Sequence, residues 1–579
     1  MRNDKVAEML EELGDLKEIL GENPFKVRAY RRAAEAIRRL TTPIEELIEQ
    51  GRLNEIEGVG ASLAAKITEF VRTGKVSELE ELRRKVPPSL RAFLEIPDMG
   101  PRTAWLVYER LGITTIEELE KAATEGRLRH LPGMGPKKEE NILRGIQLLK
   151  TTAQRVRLDV AWKVADYIVN ELASLPQAKL ILPAGSLRRM KETIGDVDIL
   201  VATTNSEPVM EKFVNLDGVR DVLARGPTKS SVLFEGGLQV DVRAVHPESF
   251  GAAAQYFTGS KDHNISLRER GIKLGLKINE YGVFKEPTDE KIAGETEEGV
   301  YESLGLIWIP PEIRENKGEI EAAERREIPK LIEMDDIRGD LHIHSNWSDG
   351  SETIEALANA AAELGYEYIA ITDHSPPLGW GVKPEDFKRQ VELIRKLNER
   401  LNDITILTGV EVDILPDGTL ALDDELLSEF DVVIASIHSQ MKMSAQKMTE
   451  RMLRAMENPY VNIIGHPTGR LIGQREPYEV DVEALIKRAA SEGIALEINA
   501  SPERLDLKDD HVRMCKDYGA LVAIGTDAHA IIHLEFMRYG VGTARRGWLE
   551  PKDVINAMPL RDLRSFLRQR RSSKRQKRG

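Results

Sequence analysis

Residues 185–201 read GSLRRMKETIGDVDILV. Asp196 and Asp198 stand two apart, ahead of and within the apolar run Val197, Ile199, Leu200, Val201. That run predicts a strand with one buried face, and alternate side chains of a strand share a side, so both carboxylates point one way. Two such acids repel unless cations bridge them. Mg²⁺ does this while keeping places for water and substrate phosphates. A third acid, Asp241, sits in the alternating stretch LQVDVRAV. Three acids on adjacent strands suit two cations ~3.5–4 Å apart, the arrangement of in-line phosphoryl transfer. Upstream, Gly185 and Ser186 open a loop ending in Arg188 and Arg189. Exposed backbone amides, a hydroxyl and guanidinium groups together suit a polyphosphate. A lone Asp-x-Asp on a strand fits a solvated sheet edge equally well.

Composition narrows the class. A chain of 579 residues implies several domains. No apolar stretch reaches the ~18 residues of a membrane span, and the charged N-terminus lacks the apolar core of a secretory signal. A single cysteine, Cys515, excludes an intrachain disulfide and suits a reducing compartment. A net charge of −14 excludes a uniformly basic DNA-coating protein but leaves room for local basic surfaces. Arg561–Gly579 carries nine Lys/Arg against one acid, and reads first as a solvated, disordered tail and second as a nucleic-acid contact.

Residues 1–85 read as helices with short breaks. Asn23-Pro24 starts one whose apolar face is Phe25, Val27, Tyr30, Ala33, Ala34 and Ile37, with Lys26, Arg28, Arg31, Arg32, Arg38 and Arg39 around it. Then Ile56-Glu57-Gly58-Val59-Gly60 precedes a second helix, Leu63–Val71. A Gly-x-Gly turn opening a helix presents free amides at a positive dipole end, which suits a phosphate. The turn recurs imperfectly as Ile96-Pro97-Asp98-Met99-Gly100-Pro101 and as Leu131-Pro132-Gly133-Met134-Gly135-Pro136. Three such turns fit helix-hairpin-helix elements that grip a DNA backbone without reading sequence.

Gly185-Ser186, then Gly195-Asp196-Val197-Asp198, then Val240-Asp241-Val242-Arg243, resemble the nucleotidyltransferase superfamily. Tyr256-Phe257-Thr258-Gly259-Ser260, with Asn264 and Arg268, narrows this to the family X DNA polymerases. The resemblance implies a helical, lyase-like DNA-binding domain over 1–85 and helix-hairpin-helix fingers over 86–152. It implies an α+β palm over 153–245 and a thumb over 246–315. It places Mg²⁺ or Mn²⁺ on Asp196, Asp198 and Asp241, and the triphosphate on Gly185, Ser186, Arg189 and Gly195. Tyr256 and Phe257 would pack on the nucleotide sugar, Gly259 would let the backbone approach, and Asn264 would reach the base. Arg243 would orient the third acid. DNA contacts fall on Lys26, Tyr30, Gly58, Gly60, Gly100, Gly133, Gly135, Arg243 and Arg268. Lys66 falls where the beta-type enzymes carry a lyase lysine; Ser62 stands where they have another lysine. Without a lyase role Lys66 is a phosphate-binding or exposed helix lysine.

Glu312–Asp336 is charged and poor in apolar residues, a connector with one helical turn pattern; residues 316–336 form the linker proper. Beyond it, over 337–579, short apolar strands alternate with amphipathic helices. The strands are Asp340–Ile343, Tyr368–Thr372, Thr405–Val412, Val432–Ser436, Val461–Ile464, Ala495–Ile498 and Leu521–Gly525. Nearly every one ends at a metal-ligand type: His342 and His344 with Asp349 beyond, His374, Glu411, His438, His466, and Asp527 with His529. βα barrels gather their sites where strand C-termini converge. Imidazole with carboxylate favours Zn²⁺, Mn²⁺ or Fe²⁺, and nine ligands suffice for up to three ions. The motifs HIH, TDH, VEVD, SIHS, GHP and GTDAH resemble the polymerase and histidinol phosphatase (PHP) superfamily, a distorted (β/α)7 barrel. The resemblance implies one ion on His342, His344, Glu411 and Asp527, a second on Glu411, His438 and His466, and a third on Asp349, His374 and His529. Asn499 and Arg504 are candidates to position a phosphate, with a structural role for Asn499 as the alternative.

The reading is a multidomain, template-directed DNA polymerase of family X with a PHP phosphoesterase: gap filling and repair, joined to 3′–5′ exonuclease, AP-endonuclease or 3′-end-cleaning chemistry. Its partners would be gapped or primer–template DNA and dNTPs, with no membrane; the chain would be a cytoplasmic monomer. The alternatives are a small-molecule phosphatase tethered by the front half, and a non-catalytic DNA scaffold.

Overall fold

The computed structural model describes residues 2–38, 44–56, 58–96, 99–152 and 155–578. Arg39, Glu57, Pro97 and Asp98 lie outside them. The N-terminal helices include Arg2–Ile19, Pro24–Arg38, Ala61–Thr73 and Ser77–Lys85. Val27, Tyr30, Ala33, Ala34 and Ile37 are buried, as the 3.6-residue period predicts. A single apolar cluster runs from Val6 to Ile146, so both helical regions share one core.

The three glycine turns share one closing hydrogen bond. Val59 N–H donates to Ile56 O, Met99 N–H to Ile96 O and Met134 N–H to Leu131 O, each at 3.0 Å. The donor residue is buried each time while Gly60, Gly100 and Gly135 are exposed. The helices Ala61–Thr73, Pro101–Leu111 and Pro136–Thr152 follow at once. A buried apolar plug thus anchors each turn, and an exposed glycine stands at each helix start.

The palm is a five-stranded sheet. Its strands are β1 (Leu180–Pro183), β2 (Asp196–Ala202), β3 (Val219–Arg225), β4 (Lys229–Phe234) and β5 (Gln239–Val245), in the order β1-β2-β5-β4-β3. β2 and β5 are parallel, and their register sets Asp198 directly opposite Asp241. The thumb follows with helices Phe250–Thr258 and Lys261–Lys273 and three antiparallel strands, β6 (Leu276–Asn279), β7 (Gly282–Lys285) and β8 (Glu290–Ala293). At Gly251 a Cβ would lie 2.1 Å from the Thr296 carbonyl carbon, so only glycine lets these segments meet.

Palm and thumb are joined through Glu297. Arg188 donates to both its oxygens (2.8 and 2.6 Å), and the fully buried Arg314 donates to Oε1 (2.8 Å). Burial raises the Glu297 pKa, yet Arg314 and Arg188 outweigh it and hold the group at about 2 against an ordinary 4.5. This stabilisation is present above about pH 4.5 and is lost as pH falls toward 2. Glu297→Gln leaves both guanidiniums uncompensated, at a cost of about 3–5 kcal/mol. The expected result is a lower thermal midpoint at pH 7, with the gap to wild type closing on acidification through that window.

The connector is packed rather than free. Within it the helix Glu319–Glu324 buries Ile320, Ala322 and Ala323 in the thumb core, and Ile332 enters the barrel core.

The barrel comprises β9 (Gly339–Ile343), β10 (Tyr368–Ile371), β11 (Thr405–Asp413), β12 (Val432–Ser436), β13 (Ile463–Ile464), β14 (Ala495–Asn499) and β15 (Val522–Gly525), all parallel and in sequence order. A bridge from Ile343 to Ala528 closes the ring. Leu341, Tyr368, Ala370, Leu407, Val432, Ile434, Ile463, Ala495 and Ala523 form one apolar layer, and their strand neighbours pack with the helices. The basic C-terminus corrects the expectation of a disordered tail. It continues the helix Leu560–Arg578, whose Leu563 and Leu567 join the layer just named. Arg570 is buried and donates to the carbonyls of Met456, Asn458 and Val461, at the N-terminal end of the strands. The spacing Leu560, Leu563, Leu567 carries a narrow apolar stripe that the count of cations hides.

Candidate active sites

In the palm, Asp196 is exposed, Asp198 is partly buried and Asp241 is buried. Burial first, and then the neighbouring Asp196 carboxylate, push the Asp198 pKa up to about 6, against the pull of Arg243. Arg243 Nε lies 3.5 Å from Asp198 and its Nη2 3.8 Å from Asp241. Lys229 Nζ, from the neighbouring β4, lies 2.6 Å from Asp241 Oδ2, and Gln239 donates to Oδ1 at 3.1 Å. Asp196 and Asp241 both act on Asp198, so the three carboxylates are neighbours, with Arg243 and Lys229 against two of them. Acids alone suit a hard divalent cation, though among the described residues their oxygens do not gather as closely as the barrel groups do. Gly185 has φ +61°, and a Cβ there would come 3.0 Å from Asp198 Oδ2. Glycine is therefore required where the loop passes the acids.

Ser186, Arg189 and Asp196 line a cleft of about 720 Å³ together with Arg155, Lys191 and, from the barrel, Lys508 and Arg546. Gly195 approaches the same Arg155, whose Nη1 would lie 3.2 Å from a Cβ there. Arg189 donates to Glu315 (3.1 Å) and to Thr258 O (2.5 Å). Arg188 does not share this cleft: its guanidinium is held by Glu297 and Thr258, which corrects the expectation that both arginines serve a polyphosphate. Arg546 binds the two halves together, donating to Asp509, to Glu315 and to the carbonyls of Arg189 and Glu312.

Tyr256 and Phe257 meet edge to face at 5.1 Å, and the Arg243 guanidinium lies 4.3 Å from the Phe257 ring centre. Gly259 lies against Arg189, whose Nη1 would be 3.3 Å from a Cβ. Asn264 donates to Tyr256 O and accepts from Gln255, both at 2.7 Å. Arg268 is exposed. In the N-terminal domain Lys66 Nζ lies 2.8 Å from Ser62 Oγ and 3.2 Å from Glu78, above the buried Tyr30 ring. Lys26 is turned to the surface toward Glu22.

In the barrel all nine expected ligands gather at one mouth. The register of β9 against β10 pairs Asp340 with Ile369 and Ile343 with Ile371, which inserts one extra residue. Such a bulge re-aims side chains, and here it brings His342 to the site beside His344. Glu411 is the hub: His374 Nδ1 lies 2.8 Å away, His466 Nε2 3.0 Å, His438 Nε2 3.3 Å, His342 Nε2 3.5 Å and His344 Nε2 3.6 Å. Asp527 lies 3.1 Å from His344, and Asp349 lies 3.4 Å from His529 and 3.6 Å from His374. Ligand atoms group as His342/His344/Asp527, His374/Glu411/His438 and His344/Asp349/His374/His529. Burial raises the Glu411 pKa, but His438, His374 and His342 outweigh it and hold the group well below the usual carboxylate range. Against the effect of burial, Glu411 and Asp413 lift His438 to about 9 and Asp349 and Asp527 lift His529 to about 9, while burial and the adjacent His374 depress His344 to about 3. Among the described residues His342 Nε2, both His344 nitrogens, His374 Nδ1, His466 Nδ1 and Glu411 Oε2 are buried without a hydrogen-bond partner. Unsatisfied lone pairs of this kind are costly unless a cation takes them, so the donor set fits divalent metal.

Several residues of this centre were not singled out in the sequence. Glu497 accepts from His342 Nδ1 at 2.6 Å and Asp413 from His438 Nδ1 at 3.0 Å. Each bond leaves Nε2 directed at the cluster. Asp413 lies two residues past Glu411 on one strand, a spacing that gives it away; Glu497 carries no such signal. Asp373 ties Ser345, Ser348 and Gln390 together beneath the loop of β9. Asn499 donates to Asp527 at 3.0 Å and has the structural role. Arg504 Nε lies 3.4 Å from Asp527, and its Nη1 is buried without a partner. Glu497→Gln should weaken metal binding roughly 10–100-fold with the fold intact, read by metal titration of the full chain.

A nucleotidyltransferase sheet with its thumb, followed by a PHP-type barrel, defines the class. Residues 1–76 match the helix-hairpin-helix domain family, 90–147 the SAM-like helix-hairpin-helix tandem, 253–315 the DNA polymerase beta thumb and 340–501 the PHP domain. The chain is 40% identical over 572 residues to the DNA polymerase/3′-5′ exonuclease PolX of Bacillus subtilis, covering 98% of this chain and 100% of that one. A probable phosphatase of Syntrophotalea carbinolica is 30% identical over 38% of this chain and 90% of its own length. One from Caldanaerobacter subterraneus subsp. tengcongensis is 31% identical over 33% and 75%. The chain belongs to the family X DNA polymerases that carry a C-terminal PHP domain.

Proposed function

We propose that the chain is a template-directed DNA polymerase that fills gaps during repair, and that its barrel is a metal-dependent 3′–5′ exonuclease that also cleans 3′ ends. The observation that supports this is one chain that sets Asp198 opposite Asp241 across parallel strands, with Asp196 on the same strand, and gathers the barrel ligands around Glu411. Asp196, Asp198 and Asp241 would hold Mg²⁺ or Mn²⁺, which would supply positive charge against the triphosphate. Ser186, Arg189 and the Gly195 backbone orient the triphosphate. Tyr256 and Phe257 support the sugar, Asn264 faces the base edge and Arg268 the template. Asp241 takes the proton of the primer 3′ hydroxyl once Lys229 releases it. The amides at Gly58, Gly60, Gly100, Gly133 and Gly135 grip the DNA backbone. Lys66 is a lyase nucleophile only after it leaves Glu78.

In the barrel, His342, His344, Asp349, His374, Glu411, His438, His466, Asp527 and His529 would hold up to three Zn²⁺, Mn²⁺ or Fe²⁺ ions, which would supply Lewis-acid activation of water and of a phosphodiester. Glu497 and Asp413 fix imidazole orientation, and Arg504 Nη1 is placed to meet a phosphate oxygen. The phosphatase relatives favour a second reading, hydrolysis of a small phosphomonoester. A phosphorylated amino alcohol set against a 3′-recessed DNA strand separates the two. The chain works as a cytoplasmic monomer on gapped DNA and dNTPs. Incubation with a one-nucleotide-gapped duplex and Mn²⁺ should give extension with dNTPs and 3′ shortening without them; a labelled primer unchanged in both lanes would reject the proposal.

A further inference from the structure

Trp380 is the one exposed tryptophan of six, with 55% of its surface open to solvent. Among the described residues no ring or cation stacks on it. It sits in the loop that leaves His374. That loop is pinched at its base: Val382 N–H donates to His374 O at 2.8 Å and Ser375 N–H to Glu411 O at 3.0 Å. A Cβ on Gly381 would lie 2.4 Å from Ser375 O, so the two legs run together. Trp380 is two residues from Val382, at most about 7 Å of chain from that anchor. The other loop of the same ligand group leaves His529 and raises Ile531 and Ile532, 40% and 63% exposed. Asp349 bridges the roots of both loops, at 3.6 Å from His374 and 3.4 Å from His529. Large apolar side chains in water are usually scattered; here they stand on two loops rooted in one ligand cluster.

We infer that Trp380 is the stacking platform for the 3′-terminal base of the strand the barrel digests, with Ile531 and Ile532 on the facing rim. The inference rests on the exonuclease reading above. A nuclease without sequence preference needs a hold that every base offers, and an aromatic face provides it. The platform selects ends whose last base is unpaired, because a base stacked in a duplex has no free face.

The test uses full-length Trp380→Ala and Trp380→Phe with Mn²⁺, on a single-stranded oligonucleotide with either an ordinary or an abasic 3′-terminal nucleotide. On the ordinary end, Trp380→Ala should raise KM roughly 5–100-fold with kcat unchanged, and Trp380→Phe should recover most of the loss. On the abasic end both variants should match wild type. In EDTA, a 3′-terminal 2-aminopurine should be quenched by wild type and not by Trp380→Ala. Equal loss on both ends would make Trp380 structural and overturn the inference, as would digestion and quenching indistinguishable from wild type. Wild-type protein that digests neither oligonucleotide would overturn the exonuclease reading itself, and the inference with it.

Discussion

Asp198→Ala abolishes primer extension, by at least about 10³-fold, while digestion of a 3′ end continues at the wild-type rate. The expectation follows from register. Parallel pairing sets Asp198 against Asp241 and turns Asp196 to the same side. Removing Asp198 takes away the carboxylate that both other acids act on. Arg243, 3.5 Å from Asp198, is then free to swing wholly to Asp241. The variant should fold normally, because burial and the Asp196 carboxylate push Asp198 up to about 6, so its burial is a cost to folding rather than a gain. Labelled-primer gels with and without dNTPs measure both activities. Loss of digestion along with extension would mean that the two clusters serve one site.

Glu411→Gln has the opposite outcome: digestion falls by at least about 10³-fold and extension is retained. Glu411 lies within 3.6 Å of five imidazoles and supplies the negative charge that holds them together. A neutral amide of the same shape keeps the packing and removes that charge. His344→Ala should behave similarly, since His344 belongs to two of the three ligand groups. For Glu411→Gln, metal titration should show weakened binding in the barrel before any change in fold. A variant that digests DNA at the wild-type rate would take the barrel out of the chemistry.

Much of both centres was legible in the sequence because the chemistry coincides with local periodicity. Asp196, Asp198 and Asp241 sit at alternate or matching positions of strongly β-branched strands, and the barrel ligands close strands whose limits the apolar runs define to within a residue or two. Groups supplied by another segment were not legible. Lys229 reads as an ordinary strand-start lysine until β4 pairs beside β5 and brings it to Asp241. Arg188 looks like a partner of Arg189 until the fold delivers Glu297 from more than a hundred residues away. Glu497 acquires a role only when β15 sets β14 next but one to β9, where Gly525 leaves room for it to reach His342. The connector carries the helical turn its pattern predicts, whereas the C-terminal helix was misread: its charge density is high, yet a few apolar residues at helical spacing are enough to dock it.

The central claim is that cations occupy two distinct places on this chain, one held by palm acids and one by barrel imidazoles, and that both act on the same DNA. An anomalous-difference map at the manganese edge, from crystals grown with Mn²⁺ and a gapped duplex, tests it most directly. The account predicts density among Asp196, Asp198 and Asp241 and, separately, around Glu411. Density at one location with the other bare, in protein that both extends and digests the duplex, would contradict it.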